Sequence, residues 1–258
     1  MRKLIIVGIG TGNPEHLTIQ AINALRTAQV IFVSDKGPQT AELTRVRKQL
    51  CDTYLAAGTY RVVEYAMPER EKCSDDYQGA VAAWHDERAG LYEQLLRAEL
   101  AAGERGAFLV WGDPSLYDSI LRIIAVVQAR GHVLFDYEVI PGISSAQVLA
   151  ARHRIPLNQV AESILLTTGR RFADSLREGG PIGDALVMLD AHCAFTKLED
   201  PDAEIYWGAY LGMPDEILIS GKVSAVATEI QEARARAREQ KGWIMDSYLV
   251  RPSRRRRP

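Results

Sequence analysis

The chain has 258 residues, 47% of them apolar, with 31 basic against 33 acidic side chains and a formal net charge of −2. That much apolar material can bury a full core in one large domain or two modest ones. Setting aside the arginine-rich end, residues 251–258, removes five arginines and leaves an acidic body of about −7, which excludes binding to nucleic acid through a general phosphate attraction.

The first half alternates strand and helix. An apolar run over 4–7 reads as a buried strand and leads into Gly8-Ile9-Gly10-Thr11-Gly12-Asn13-Pro14. A helix over 18–28 carries Ile19, Ile22 and Leu25 on one face. A strand over 30–34, a helix over 40–50, a strand over 61–65 and a long helix over 77–102 follow. A strand over 107–111 opens into a second loop, Gly112-Asp113-Pro114-Ser115-Leu116-Tyr117. A helix over 115–130 is then closed by Gly131 as a left-handed cap, and a strand over 136–140 ends at Pro141. Strands separated by helix-length segments imply a mostly parallel sheet. After a helix over 143–152 the strands come closer together, at 163–168, 185–189, 204–210, 217–220 and 243–249, with one clear helix over 225–240. The expected organisation is an N-terminal α/β domain (1–140), a C-terminal mixed-sheet α+β domain (141–250) and a disordered basic tail (251–258).

Glycines directly after a strand let the backbone turn sharply and approach a ligand. Two such loops in one parallel sheet would open at the carboxyl ends of their strands, where open α/β sheets bind ligands. A dinucleotide fingerprint is the commonest look-alike, and Asp35 stands where a ribose-binding acid would. The sixth position, however, is Asn13, followed by Pro14, so the loop is too long to present a helix N-terminus to a pyrophosphate. Cys51, Cys73 and Cys193 follow no metal-ligand spacing and read as reduced thiols, so no metal is expected. The apolar run after Arg2 and Lys3 is too short for a signal peptide, and no stretch reaches the length of a membrane span. The expected location is the cytoplasm, with no membrane partner.

The glycine loop with Pro14 and Leu17-Thr18, then Gly112-Asp113-Pro114 with Tyr117, then Pro141-Gly142-Ile143-Ser144-Ser145, in that order, resemble the tetrapyrrole methyltransferases. The resemblance implies two α/β domains with S-adenosylmethionine held in the cleft between them. Five stretches narrow the resemblance to family members of the aerobic cobalamin pathway: Phe32-Val33-Ser34-Asp35-Lys36-Gly37, Trp84-His85-Asp86-Glu87-Arg88, the segment from Val110 to Ser119, Thr167-Thr168-Gly169-Arg170-Arg171, and Trp243-Ile244-Met245-Asp246-Ser247-Tyr248-Leu249. The implied reaction methylates C1 of precorrin-5, releases its acetyl group as acetate, and yields precorrin-6A and S-adenosylhomocysteine. A different tetrapyrrole substrate, such as uroporphyrinogen III, is the alternative within the family, and an NAD-dependent oxidoreductase is the alternative outside it. A homodimer is compatible with this reading.

By position in these motifs, Gly10, Thr11, Trp111, Gly112, Asp113 and Leu116 would contact the cofactor, with Ser144 and Ser145 opposite and Leu189 and Gly208 from the second domain. Methyl transfer from a sulfonium mainly requires alignment, so backbone and apolar contacts can suffice without a triad. Acetate release asks for a general base, with Asp35, His85, Asp113 and Tyr117 as candidates. For His85 a solvated helix face is the plain alternative, and Asp113 can instead fix the cofactor loop. Substrate carboxylates call for arginines; Arg170 and Arg171 fit best, with Lys36 beside Asp35. For Arg45, Arg47 and Arg88 a surface ion pair is the simpler account. Three departures from the family pattern put side-chain contacts in doubt: Gly10-Thr11-Gly12-Asn13 replaces Gly-Pro-Gly-Asp, Leu189-Asp190 replaces Met-Gly, and Trp207-Gly208-Ala209 replaces Asn-Gly-Thr.

Overall fold

A computed structural model describes residues 1–35, 41–68, 77–179 and 183–253. Lys36, Cys73 and the last five residues lie outside these ranges. The chain divides into two compact units, Met1–Ser144 and Ser145–Pro258, so the break falls four residues later than the proline at 141 suggests.

In unit 1, strands β1 (Arg2–Gly8), β2 (Val30–Asp35), β3 (Arg61–Ala66), β4 (Arg105–Val110) and β5 (Phe135–Ile140) form one sheet in the order β3-β2-β4-β1-β5. Every pairing is parallel. The strands read as continuous apolar runs because both faces are covered. Leu4, Ile6, Phe32 and Phe108 face one core together with Tyr92 and Leu96 of α3 (Tyr77–Glu99) and Ile123 and Val127 of α4 (Ile120–Arg130). Ile5, Val7, Ile31 and Ala107 face the other, against Ala21 and Leu25 of α1 (Ile19–Leu25) and Leu50 and Cys51 of α2 (Ala41–Tyr54). The chain therefore leaves β1 toward the α1/α2 face and β4 toward the α3/α4 face. These two strands are neighbours, and such a switch point is where an open α/β sheet leaves a crevice for a ligand.

In unit 2, α5 (Ser145–His153) precedes a mixed sheet of order β6-β7-β10-β8-β9, made of β6 (Ile164–Thr168), β7 (Asp184–Met188), β8 (Glu204–Ala209), β9 (Ile217–Lys222) and β10 (Asp246–Arg251). Only β6 and β7 pair in parallel. Helix α7 (Val223–Lys241) ends at Gly242 in the left-handed region, φ +77°. Helix α6 (Gly169–Arg177) has no counterpart in the sequence expectations: it is short and mostly polar, and buries only Gly169 and Phe172.

Two further expectations change. Helix α4 starts at Ile120 rather than 115; residues 113–118 form a loop, and the Ile120 amide is bonded by Asp118 Oδ1 at 2.7 Å. Gly131 does close that helix in the left-handed region, φ +67°. The order also runs past 250. Arg251 ends β10 with its Nε 3.2 Å from Asp184 Oδ2, and the Ser253 amide donates to Asp200 Oδ2 at 2.7 Å. The expected tail therefore loses its first three residues to the folded body.

Candidate functional site

The loops after β1 and β4 meet. Gly10 and Gly112 form an isolated antiparallel bridge, with the Gly112 amide donating to the Gly10 carbonyl at 2.7 Å and the Gly10 amide to the Gly112 carbonyl at 3.3 Å. Both glycines have positive φ, +74° and +68°. They differ in what surrounds them. A Cβ on Gly10 would lie 2.6 Å from His16 Cβ, whereas one on Gly112 would meet nothing closer than Ser144 Cα at 3.8 Å. Gly112 is buried, yet it leaves room beside its backbone at the switch point. Gly8 is glycine for contact: its Cβ would stand 2.5 Å from the Gly142 nitrogen. Thr11 is buried, with Oγ1 bonded to His16 Nδ1 at 3.0 Å.

Asp113 ties this arrangement to the segment after β5. Its Oδ2 accepts from the Gly142 amide at 2.8 Å, and its Oδ1 accepts from the Ser115 amide at 2.8 Å and from the Ser115 hydroxyl. Partial burial pushes the carboxyl up, but the three donors outweigh it and hold the group below its ordinary value. A carboxylate so occupied is a clasp between the two segments and a poor proton acceptor. Leu116 follows, half-buried, with its amide on the Asp113 carbonyl at 3.2 Å. Tyr117 sits at φ +53° and is 42% exposed; burial of the rest raises its phenol above the ordinary value, so at neutral pH it can donate a proton but not accept one. Trp111 packs half-buried on the α1/α2 core.

Asp35 ends β2, paired in register with Ala66 at the carboxyl edge of the sheet. Lys36 lies outside the described residues. His85 is half-buried: its Nε2 shares a 3.1 Å hydrogen bond with Ser119 Oγ, and burial, then Arg88 and Arg122, lower its pKa below the ordinary value. Arg45 is the expected surface residue, exposed and 4.0 Å from Glu42. Arg47 and Arg88 contradict that account, since each is only 7% exposed.

In unit 2, Ser145 opens α5 with its Oγ 3.0 Å from Ser247 Oγ. Leu189, directly after β7, is 67% exposed at φ +53°, a conformation that is uncommon outside glycine and one in which strain gathers at functional loops. The next residue anchors it. Asp190 accepts from the His192 amide (2.9 Å), the Ala194 amide (2.6 Å) and the buried Tyr248 hydroxyl (2.7 Å). Arg234 donates to the Asp190 carbonyl at 2.9 Å and to Asp246 Oδ2 at 3.0 Å. Burial raises the Asp246 carboxyl, against the pull of Arg234 and the Trp207 indole. Gly208 has a packing reason to be glycine: its Cβ would meet Leu211 at 2.6 Å and Leu149 at 3.0 Å. Arg170 and Arg171 lie exposed in the first turn of α6. A surface hollow of about 580 Å³ bordered by His192, Cys193, Arg234 and Arg238 includes none of the expected site residues.

Residues 3–227 match the family model described as Tetrapyrrole (Corrin/Porphyrin) Methylases. The chain belongs to this family. A precorrin-6A synthase [deacetylating] from a Sinorhizobium species is 54% identical over 97% of this chain and 95% of its own length. The cobalamin synthesis related protein CobF from Corynebacterium diphtheriae has a solved structure that superposes with a TM-score of 0.82 at 37% identity, covering 98% of this chain and 99% of that one. Uroporphyrin-III C-methyltransferase from Thermus thermophilus, solved with S-adenosyl homocysteine, shares the fold, with a TM-score of 0.59 at 16% identity over 96% of this chain and 97% of that one.

As a tetrapyrrole methylase, the chain keeps the glycine bridge although Thr11 and Asn13 replace the residues its family pattern expects, because the contacts are made by backbone. Asn13 instead caps the turn Pro14–His16 through the Glu15 amide at 2.9 Å. What sequence reasoning missed in this methylase is the anchoring of Leu189 and the burial of Arg47 and Arg88. An aspartate two and four residues before amides it accepts from is a readable signal for the first. Nothing in the sequence marks the second, since an arginine in a polar helix ordinarily faces water. No described helix is long and apolar enough to cross a membrane.

Proposed function

We propose that the chain methylates C1 of precorrin-5 and releases the acetyl group as acetate, giving precorrin-6A. The observation that carries this reading is the 54% identity to a precorrin-6A synthase [deacetylating] across 97% of the chain. The unit 1 geometry supports the transfer half. S-adenosylmethionine supplies the methyl group together with its own leaving group, so the protein's task is alignment. The room beside the Gly112 backbone fits such a ligand, with Gly10, Thr11, Trp111 and Leu116 as further proposed contacts and Asp113 as the clasp that holds the loop. In unit 2, Ser145 and Leu189 are proposed cofactor contacts, and Arg170 and Arg171 proposed partners for substrate carboxylates. A cytoplasmic location goes with this reading.

Acetate release consumes one water, which must attack the acetyl carbonyl and give up a proton. Asp113 is committed to its three donors and the Tyr117 phenol stays protonated; of the two remaining candidates, His85 shares its Nε2 with Ser119, and Asp35, at the carboxyl edge of the sheet, is the proposed base. The test is incubation of the parent and Asp35→Asn with S-adenosylmethionine and precorrin-5, followed by mass spectrometry. The parent should yield precorrin-6A, S-adenosylhomocysteine and acetate in equal amounts. Asp35→Asn should slow acetate release 10²- to 10⁴-fold, the ordinary worth of a general base, with a methylated, still acetylated product accumulating. Equal slowing of both steps would make Asp35 a positioning residue. A parent that methylates some other tetrapyrrole and leaves precorrin-5 untouched would overturn the reading.

A further inference from the structure

Arg47 of α2 and Arg88 of α3 come from helices on opposite faces of the first sheet and converge at its carboxyl edge. Both guanidinium groups act electrostatically on the phenol of Tyr65, the penultimate residue of β3. Arg47 lies 5.9 Å from the ring of Trp111, immediately beyond β4. Arg88 lies 4.5 Å from the Trp84 ring and 5.7 Å from the Tyr92 ring, and donates to the Tyr92 hydroxyl at 3.0 Å. This is the edge that also carries Asp35 and the glycine bridge.

The two charges are buried, and the one acid that acts on either of them among the described residues, Asp118 on Arg47, does so without a direct ion pair. Among the described residues neither arginine is ion-paired with a carboxylate. Arg47 has one weak bond, from Nη1 to the Leu43 carbonyl at 3.3 Å, and the Nε of each arginine is buried with no hydrogen-bond partner. Glu93, a buried acid on α3, is engaged elsewhere, with Arg130 at 3.5 Å and His132 at 3.3 Å. Aromatic faces attract a guanidinium plane but leave its in-plane N–H edge without an acceptor. Nε and a terminal nitrogen form the side-on edge that takes a carboxylate bidentately. A buried cation with no directly paired carboxylate is costly unless an anion joins it.

We infer that Arg47 and Arg88 are a carboxylate-binding pair at the carboxyl edge of the unit 1 sheet, serving a carboxylate of the reaction described above. Two sources share this chemistry: an acetate or propionate side chain of the tetrapyrrole, and the free acetate that is released. The inference rests on the proposed function for its substrate, but its test needs neither methyl transfer nor precorrin.

The probes are sodium acetate, against sodium chloride at equal ionic strength, and uroporphyrin III, a stable tetrapyrrole polycarboxylate followed by fluorescence. The proteins are the parent, Arg47→Met and Arg88→Met, with Arg47→Lys and Arg88→Lys keeping the charge but not the fork should a Met variant fail to fold. The parent should bind uroporphyrin III roughly tenfold or more tightly than any of the variants, with S-adenosylhomocysteine affinity unchanged. An acetate-specific rise in the parent's melting temperature that the variants lose assigns the pair to free acetate. Loss of porphyrin binding without any acetate effect assigns it to the ring's side chains. In chloride the Met variants should melt no lower than the parent, because they shed a buried charge that no carboxylate pairs directly. Unchanged porphyrin affinity and an unchanged acetate response in the variants would overturn the inference, and variants that only melt lower would make the pair structural. A chain with the arginine-dependent carboxylate site but no activity on precorrin-5 would sink the proposed function alone; the converse would sink this site alone.

Discussion

Asp113 holds the loop after β4 to the segment after β5 with one carboxylate, and its ionisation is therefore linked to stability. Its folded pKa lies below the ordinary 3.8 because the Ser115 and Gly142 donors outweigh the opposing effect of burial. A depressed carboxyl stabilises the fold at every pH above its unfolded value and loses that contribution as pH falls through the folded one. Asp113→Asn should cost about 1 kcal/mol at pH 7, a charge-assisted contribution discounted for solvent screening at a half-exposed group. The gap between parent and variant, measured by urea unfolding from pH 7 to 3, should narrow only below about pH 4. A gap that does not change with pH would mean that shape rather than charge makes the clasp. The residue itself was legible, as an Asp-Pro following a strand and a glycine. Its partner, Gly142, is 29 positions away and could be found only by folding the chain.

The connections between strands and helices show which glycines are present for conformation and which for contact. Gly131 ends α4 at φ +67° with nothing within 4 Å of a Cβ; Gly142 has an ordinary φ, but its Cβ would overlap the Gly112 carbonyl and stand 2.8 Å from Gly8 Cα. Gly131→Ala should cost about 1 kcal/mol, the strain of a left-handed L-residue. Gly142→Ala should cost about 3 kcal/mol or more, because backbone atoms on three segments must move apart. Urea midpoints of the two variants test the order, and equal midpoints would show that the three segments yield easily. Both glycines can be picked out in the sequence. Only the helix-ending one declares its reason there, because a cap follows from local periodicity and a close approach does not. Helix α6 escaped for a related cause: Phe172 is its one large buried side chain, and its place is decided by the T-shaped contact with Tyr248 of β10, a strand 76 residues away.

Each unit has its own sheet and core, and the cofactor reading can be tested on the full chain. S-adenosylhomocysteine at 100 times its dissociation constant should stabilise the protein by about 2.7 kcal/mol, seen as a higher melting temperature, while NAD at the same concentration should not. Stabilisation by NAD instead would revive the dinucleotide reading, which the loop geometry disfavours: Asn13 and Pro14 lead into a short turn rather than into a helix N-terminus.

The apolar runs and helix-length spacers in the sequence were enough to establish an α/β first half, a mixed second half, the two glycine loops and the family resemblance. These features are local, since strand alternation, caps and strand-to-loop glycines depend on neighbours a few positions away. The pairing of Gly10 with Gly112, the clasp from Asp113 to Gly142 and the anchoring of Leu189 by Asp190, Arg234 and Tyr248 joined residues distant in the chain. The clearest case is the arginines. In the sequence Arg45, Arg47 and Arg88 look alike, each in a polar helical stretch. Only the packing of α2 and α3 around the edge of one sheet left the first in water and buried the other two, because burial depends on what lies across the sheet and not on the residues alongside in the chain.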